Sequence, residues 1–159
     1  MERRDFMKTG LAGAAAGLVA SSAVAAKEEK HDHGSMQKYV APVVSDELKK
    51  VAETAHDCVK TANACIAECN RVLALGQGSM AECQVAVLSM VSVCEATAVN
   101  ATTHLVGDEL LRRLVDVCRE FCDYCADACE PHAEHYAECK NCMESCRECS
   151  DACQAFLKT

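Results

Sequence analysis

Cysteine is the residue type in this chain best placed to do chemistry, and its spacing is regular. Nine cysteines fall between Cys118 and Cys153. Cys118, Cys122, Cys125 and Cys129 step by 4, 3 and 4 positions, and Cys139, Cys142, Cys146, Cys149 and Cys153 by 3, 4, 3 and 4. Residues three and four apart share one face of an α-helix, so these thiols occupy the stripe that a helix bundle normally fills with Leu or Val. Cys58, Cys65, Cys69, Cys83 and Cys94 complete a set of fourteen. A helical core lined with thiols points to soft-metal chemistry inside a folded bundle.

The elements that must position them are helices. The chain has 159 residues, six aromatic residues, no Trp, two prolines and seven glycines. That length supports one domain with a core, and the composition reads as all-α. The first helix is predicted to start at Ser45, an N-cap followed by Asp46 and Glu47 in the first turn. It stops at Gly76-Gln77-Gly78. Ser79-Met80-Ala81-Glu82 matches a capping box and opens a second helix that runs to about Val106. Gly107 breaks the chain, Asp108 is expected to cap a third helix, and Pro131 ends it. A fourth helix is expected from His132 or Ala133 to Leu157. Four helices with short connections imply an antiparallel up-down four-helix bundle over residues 45–159, with cysteines lining its core.

Extending each stripe at roughly 100° per residue puts every cysteine on an inward face. Antiparallel packing then makes the two ends unlike. Val51, Leu105, Leu111, Leu114 and Leu157 are expected to form an aliphatic plug. The opposite end gathers Cys69, Met80, Cys83, Cys129, His132, His135 and Cys139, and is expected to be the mouth. His135 lies one turn before Cys139, so it is placed on the cysteine stripe. Met90 lies between Cys83 and Cys94 and is expected to pack in the core, while His56 and His104 fall on the solvent side.

Fourteen inward thiols have several chemical readings. Cys can pack as a small hydrophobe, but it fills space less well than Leu and oxidises. A disulfide scaffold or thiol–disulfide redox module suits an oxidising compartment, yet thiols stacked on one helix compete for the same partners. Zinc prefers closed tetrahedral sites, and several sites of net charge −2 in one dry core are costly. Iron–sulfur clusters usually draw on cysteines in loops. Cu(I) is soft and accepts two or three thiolate or thioether ligands. If each thiolate bridges two ions, one Cu⁺ per thiolate cancels the charge, and the set holds about fourteen ions. The expected metal ligands are the fourteen cysteines with Met80 and His135. No nucleophile–base pair, phosphate loop or open catalytic metal motif is present, so no enzymatic activity is expected.

The N-terminus reads as an address. Arg3-Arg4-Asp5-Phe6-Met7-Lys8, a weakly hydrophobic Ala/Gly-rich stretch and Ala23-Val24-Ala25 resemble a twin-arginine signal over residues 1–25 with its cleavage site. That route carries folded proteins to the periplasm and leaves no membrane anchor after cleavage. Residues 26–44 read as a polar linker, in which His31, His33 and Met36 are weak candidates for capturing metal. Cleavage leaves 13 basic and 22 acidic residues, a formal charge of −9, which argues against nucleic acid and anionic membranes as partners.

Residues 45–159 also resemble a known family, the exported copper storage proteins. The resemblance rests on His56-Asp57-Cys58, Cys65-x-x-x-Cys69, Gly78-Ser79-Met80-x-x-Cys83, Val117-Cys118, Cys122-x-x-Cys125, Glu138-Cys139-x-x-Cys142 and the later cysteines. It implies a four-helix bundle whose core binds many Cu(I) ions, admitted at an end carrying His and Met. It also implies dimeric or tetrameric assembly in some members. A copper-requiring enzyme or chaperone is an expected partner of such a store. Around Cys69 the chain departs from that pattern: Glu68, Val72 and Leu75 stand where His or Met would serve, leaving Met80, His132 and His135 for that role.

Overall fold

Apolar and thiol side chains recur at three- and four-residue intervals through most of the chain, and each such run forms one helix. The computed structural model describes residues 43–159. The signal sequence and nearly all of the linker, with His31, His33 and Met36, lie outside the described residues. Helix α1 is Asp46–Ala74, α2 is Ala81–Thr103, α3 is Asp108–Cys129 and α4 is Ala137–Leu157. They pack as a ring, α1 on α2, α2 on α3, α3 on α4 and α4 on α1. The described residues contain no strand.

The helix ends show which local signals were used. Ser45 is extended, and its side chain accepts a hydrogen bond from the Leu48 amide at 3.2 Å, a cap whose loss typically costs about 1 kcal/mol. At the other end of α1, Gly76 has φ +79°. Its amide donates to the Leu73 carbonyl at 2.9 Å and the Gln77 amide to the Val72 carbonyl at 3.3 Å, the paired bonds of a Schellman stop. The capping box expected at Ser79 does not form. Gly78–Met80 is a 3₁₀ turn that runs straight into α2, with no side-chain cap. Helix α2 ends at Thr103, three residues before the expected Val106, because His104 turns left-handed at φ 45°. Gly107, not Asp108, is the N-cap of α3.

By length and composition Gly78–Thr103 is apolar enough to cross a membrane. In the fold it is one wall of the bundle, with Cys83, Ala86, Val87, Met90, Cys94, Ala98 and Ala101 buried. The end where α1 and α3 begin is aliphatic, but its membership differs from the expected plug. Val51 and Leu111 are fully buried as expected, whereas Leu105 is 68 % exposed and Leu114 and Leu157 are half-buried. Leu48, Val115 and Phe156 close this end instead. Leu105 is lost because α2 has already ended. On α3 and α4 the stripe continues through the neighbouring three-residue step, Val115 to Cys118 and Cys153 to Phe156.

Candidate metal centre

All fourteen cysteines are free and fully buried. Helix α1 supplies Cys58, Cys65 and Cys69, α2 Cys83 and Cys94, α3 Cys118 to Cys129, and α4 Cys139 to Cys153. The helical period aims each of them at the bundle axis, where they form overlapping sulfur groups. Within each group the Sγ atoms lie within 4.8 Å of one another. At the end where α2 and α4 begin, Cys65, Cys69, Cys83 and Cys139 form the first group. Cys65, Cys129 and Cys142 follow, then Cys125, Cys142 and Cys146. Cys58, Cys94, Cys122 and Cys149 form a second group of four, and Cys118, Cys149 and Cys153 complete the column.

Cys65 and Cys142 link the first three groups and Cys149 links the last two, so metals held in linked groups would share a thiolate. This sharing favours a soft ion of low coordination number over separate closed zinc sites, each of which needs four ligands of its own. The sulfurs are stacked and not bonded. Cys83 and Cys129 are 3.5 Å apart, Cys69 and Cys83 3.6 Å, Cys94 and Cys122 3.6 Å, and Cys94 and Cys118 3.7 Å, against about 2.05 Å in a disulfide.

Without metal the thiols satisfy one another. Cys58 donates to the Ser145 carbonyl at 3.1 Å and lies 3.6 Å from the Ser145 hydroxyl. Cys94 donates to the Met90 thioether at 3.3 Å. Burial, followed by repulsion from a Cys83 thiolate, pushes the Cys69 thiol up to about 12. Cys83 moves the other way, because hydrogen bonds from Cys129, Cys139 and Cys65 favour its thiolate. Cys118 is lowered to about 5, chiefly by Cys122 with help from Cys153 and Cys94, against Cys149 and burial. A sulfur ringed by S–H donors holds negative charge best, while the same charge keeps its neighbours protonated.

The expected auxiliary ligands divide. Met80 is fully buried on the 3₁₀ turn just before Cys83, at the cysteine-rich end. His135 is not on the cysteine stripe. It sits exposed in the turn before α4, which starts only at Ala137. Glu130–His132 forms a 3₁₀ turn there with Pro131 inside it, the His132 carbonyl accepts from the His135 and Tyr136 amides at 3.0 Å each, and Tyr136 is extended. That break removes the register expected for His135. His132 is half-buried beside a surface cleft of about 310 Å³ lined also by Glu82, Asp127 and Pro131. The expected mouth is closed over, since Met80, Cys69, Cys83, Cys129 and Cys139 are all inaccessible and Ala133 and Tyr136 pack on the core beside them.

His56 is exposed as expected. His104 is half-buried and bonds Asp108 at 2.9 Å, against the solvent-side expectation. Ser145 was missed because a Ser beside the cysteine stripe carries no spacing signal. Among the described residues, no histidine or carboxylate joins any sulfur group.

Comparison with known proteins agrees with this chemistry. A family model described as copper storage protein matches residues 44–158, and a model of the twin-arginine translocation signal matches residues 1–20. A cytosolic copper storage protein from Streptomyces lividans, solved with five coppers, is similar at 26 % identity and a TM-score of 0.66, over 71 % of this chain and 93 % of that one. The Streptomyces lividans copper storage protein Ccsp, loaded with 10 copper equivalents, is similar at 25 % identity and a TM-score of 0.68, over 77 % of this chain and 93 % of that one. No curated protein matches the chain.

Proposed function

We propose, starting from the fact that the chain belongs to the copper storage protein family, that its bundle holds copper as Cu(I), about one ion per thiolate. The observation that carries this reading is the set of fourteen buried sulfurs in five close groups, three linked through Cys65 and Cys142 and two through Cys149. Copper is the cargo, and the chain's residues do the work. Each incoming Cu⁺ replaces a thiol proton, which leaves to solvent, or meets a thiolate already formed, so a core of mostly neutral thiols becomes a core of neutral copper–thiolate pairs. Net charge hardly changes during filling, and a low-dielectric interior can therefore hold many ions without accumulating a Born penalty. The fourteen cysteines are the proposed ligands, with Met80 and, at the exposed turn, His135 assisting exchange. In this reading the protein is a store and not an enzyme.

The twin-arginine signal directs export, and we place the store in the periplasm, in contrast to its Streptomyces lividans relative, which is described as cytosolic. The domain division follows: a signal over residues 1–25, a linker over 26–44 and the copper-binding bundle over 45–159. A copper-requiring enzyme or chaperone is the proposed recipient. Self-association is proposed through the apolar outer face of α2, where Val85, Leu88 and Val99 are exposed, and sedimentation of the mature chain tests it. The storage reading is tested by anaerobic titration of the reduced mature chain with Cu(I) against a Cu(I) chelator. Uptake of about fourteen ions is expected from charge balance. Saturation at three or four ions would replace the store with discrete closed sites.

A further inference from the structure

The cysteine ladder is uneven. Helix α2 carries only Cys83 and Cys94, eleven positions apart, while α4 carries five cysteines in fifteen positions. Between them the inner face of α2 presents Val87 and Met90, both fully buried. The Met90 Sδ is not idle in that gap. It accepts the Cys94 S–H at 3.3 Å, and Cys94 belongs to the group with Cys58, Cys122 and Cys149. A fifth sulfur therefore stands against a four-thiol group deep in the core, away from the cysteine-rich end.

We propose that Met90 is a further Cu(I) ligand, its thioether joining the Cys58/Cys94/Cys122/Cys149 group. This rests on the storage reading above. In the metal-free bundle a proton sits between the Cys94 and Met90 sulfurs. On loading, that proton leaves Cys94 for solvent and a Cu⁺ takes its place between the same two atoms. The thioether contributes a lone pair without contributing charge, so the neutrality of one Cu⁺ per thiolate is kept while one ion gains an additional soft contact. An ion held by two sulfurs needs them further apart than a hydrogen bond does. Met is unbranched and adaptable, so its Sδ can withdraw along the gap while the helix stays in place. A neutral thioether also favours Cu(I) over Zn(II), which is the discrimination a copper store needs at its most enclosed group.

The test is a Cu(I) titration of mature protein labelled at the methionine ε-methyl carbons, with the Met90 resonance assigned by Met90→Leu, a substitution close in volume. The Met90 methyl is expected to shift as copper loads, while that of Met143, on the outer edge of the core, holds its position. In Met90→Leu, total capacity should stay within about one ion of the unaltered protein. One ion should be withdrawn by chelator roughly tenfold faster, the factor corresponding to the loss of one modest ligand contact. If Met90→Leu does not fold, selenomethionine-labelled protein in which Met36 and Met80 are replaced by Leu gives the same answer at the selenium absorption edge, where a Cu–Se contact must be present. A Met90 methyl that stays at its metal-free position, wild-type release of every ion from Met90→Leu, or no Cu–Se contact overturns the assignment. If the unaltered protein takes up no Cu(I), both this inference and the storage reading fall. If it loads fully while Met90 is unmoved, only this inference falls.

Discussion

The two ends of the bundle are built on the same helical period and filled with opposite chemistry. Leu48, Val51, Leu111, Val115 and Phe156 close one end with aliphatic and aromatic side chains. From Cys118 and Cys153 to Cys69 and Cys139 the same four helices present sulfur. Leu and Phe bury more apolar area than Cys and fill space more fully, so the aliphatic end carries more than its share of the packing free energy. On the proposed storage reading, the sulfur column exchanges protons for metal while the aliphatic end secures the packing of the helices. Folding and storage are thus assigned to different stretches of the same helices, in contrast to small metal domains in which binding and folding are one event.

The largest effect expected from breaking this division lies in the column. Replacing Cys58, Cys94, Cys122 and Cys149 together with Ser should remove about four of about fourteen Cu(I), one per lost thiolate. The metal-free helical content by circular dichroism should stay high. Collapse of helicity would show that the sulfur core, and not the aliphatic end, holds the fold.

At the other end, Leu111→Ala should leave copper capacity unchanged and lower metal-free stability by roughly 2–5 kcal/mol, the usual cost of emptying a fully buried Leu site. Denaturant unfolding with and without copper measures both. A change in capacity without a change in stability would reverse the assignment of the two ends.

Alkaline pH sharpens the comparison because the column carries buried thiols and the aliphatic end carries none. Cys69 rises from its ordinary 9.0 to about 12 through burial and then through the Cys83 thiolate. Cys94, Cys122 and Cys153 also move up, each chiefly through a hydrogen bond with Cys118. Below pH 9 such a thiol is protonated folded and unfolded, and its contribution is fully present. As pH rises from 9 towards 12 the unfolded chain releases the proton while the folded chain keeps it, so stability is lost. Lowered thiols such as Cys118, at about 5, act below pH 9 and add no further slope above it. The denaturant midpoint of reduced, metal-free protein should therefore fall between pH 9 and pH 11, and a flat profile would contradict the raised thiols. Copper-loaded protein, its thiol protons already gone, should show little of this slope.

The smallest effect is kinetic. Met80→Leu combined with His135→Leu should slow chelator-driven exchange several-fold at unchanged capacity, followed by stopped flow. Most of that change should come from Met80, which is buried at the cysteine-rich end while His135 is exposed. Unchanged exchange in this variant, with faster exchange in Leu111→Ala, would move copper admission to the aliphatic end.

The sequence by itself determined the helical class through its composition, the four-helix count through its caps and Gly and Pro breaks, and the inward face of all fourteen thiols through the cysteine spacing. It could do so because helix geometry is local and the pattern repeats over whole helices. The stop at Gly76 and the cap at Ser45 were legible for the same reason, since both act within one turn. What only the tertiary structure decided lies where helices end and where they meet. The left-handed turn at His104 exposes Leu105, and the break at Tyr136 takes His135 off the stripe. Neither follows from periodicity, which carries on past a helix end as if the helix continued. The grouping of the sulfurs, the sharing of Cys65, Cys142 and Cys149, and the meeting of Met90 with Cys94 depend on the axial register of four helices. That register is set by how side chains of different volume interlock across the bundle axis, a quantity no single helix contains.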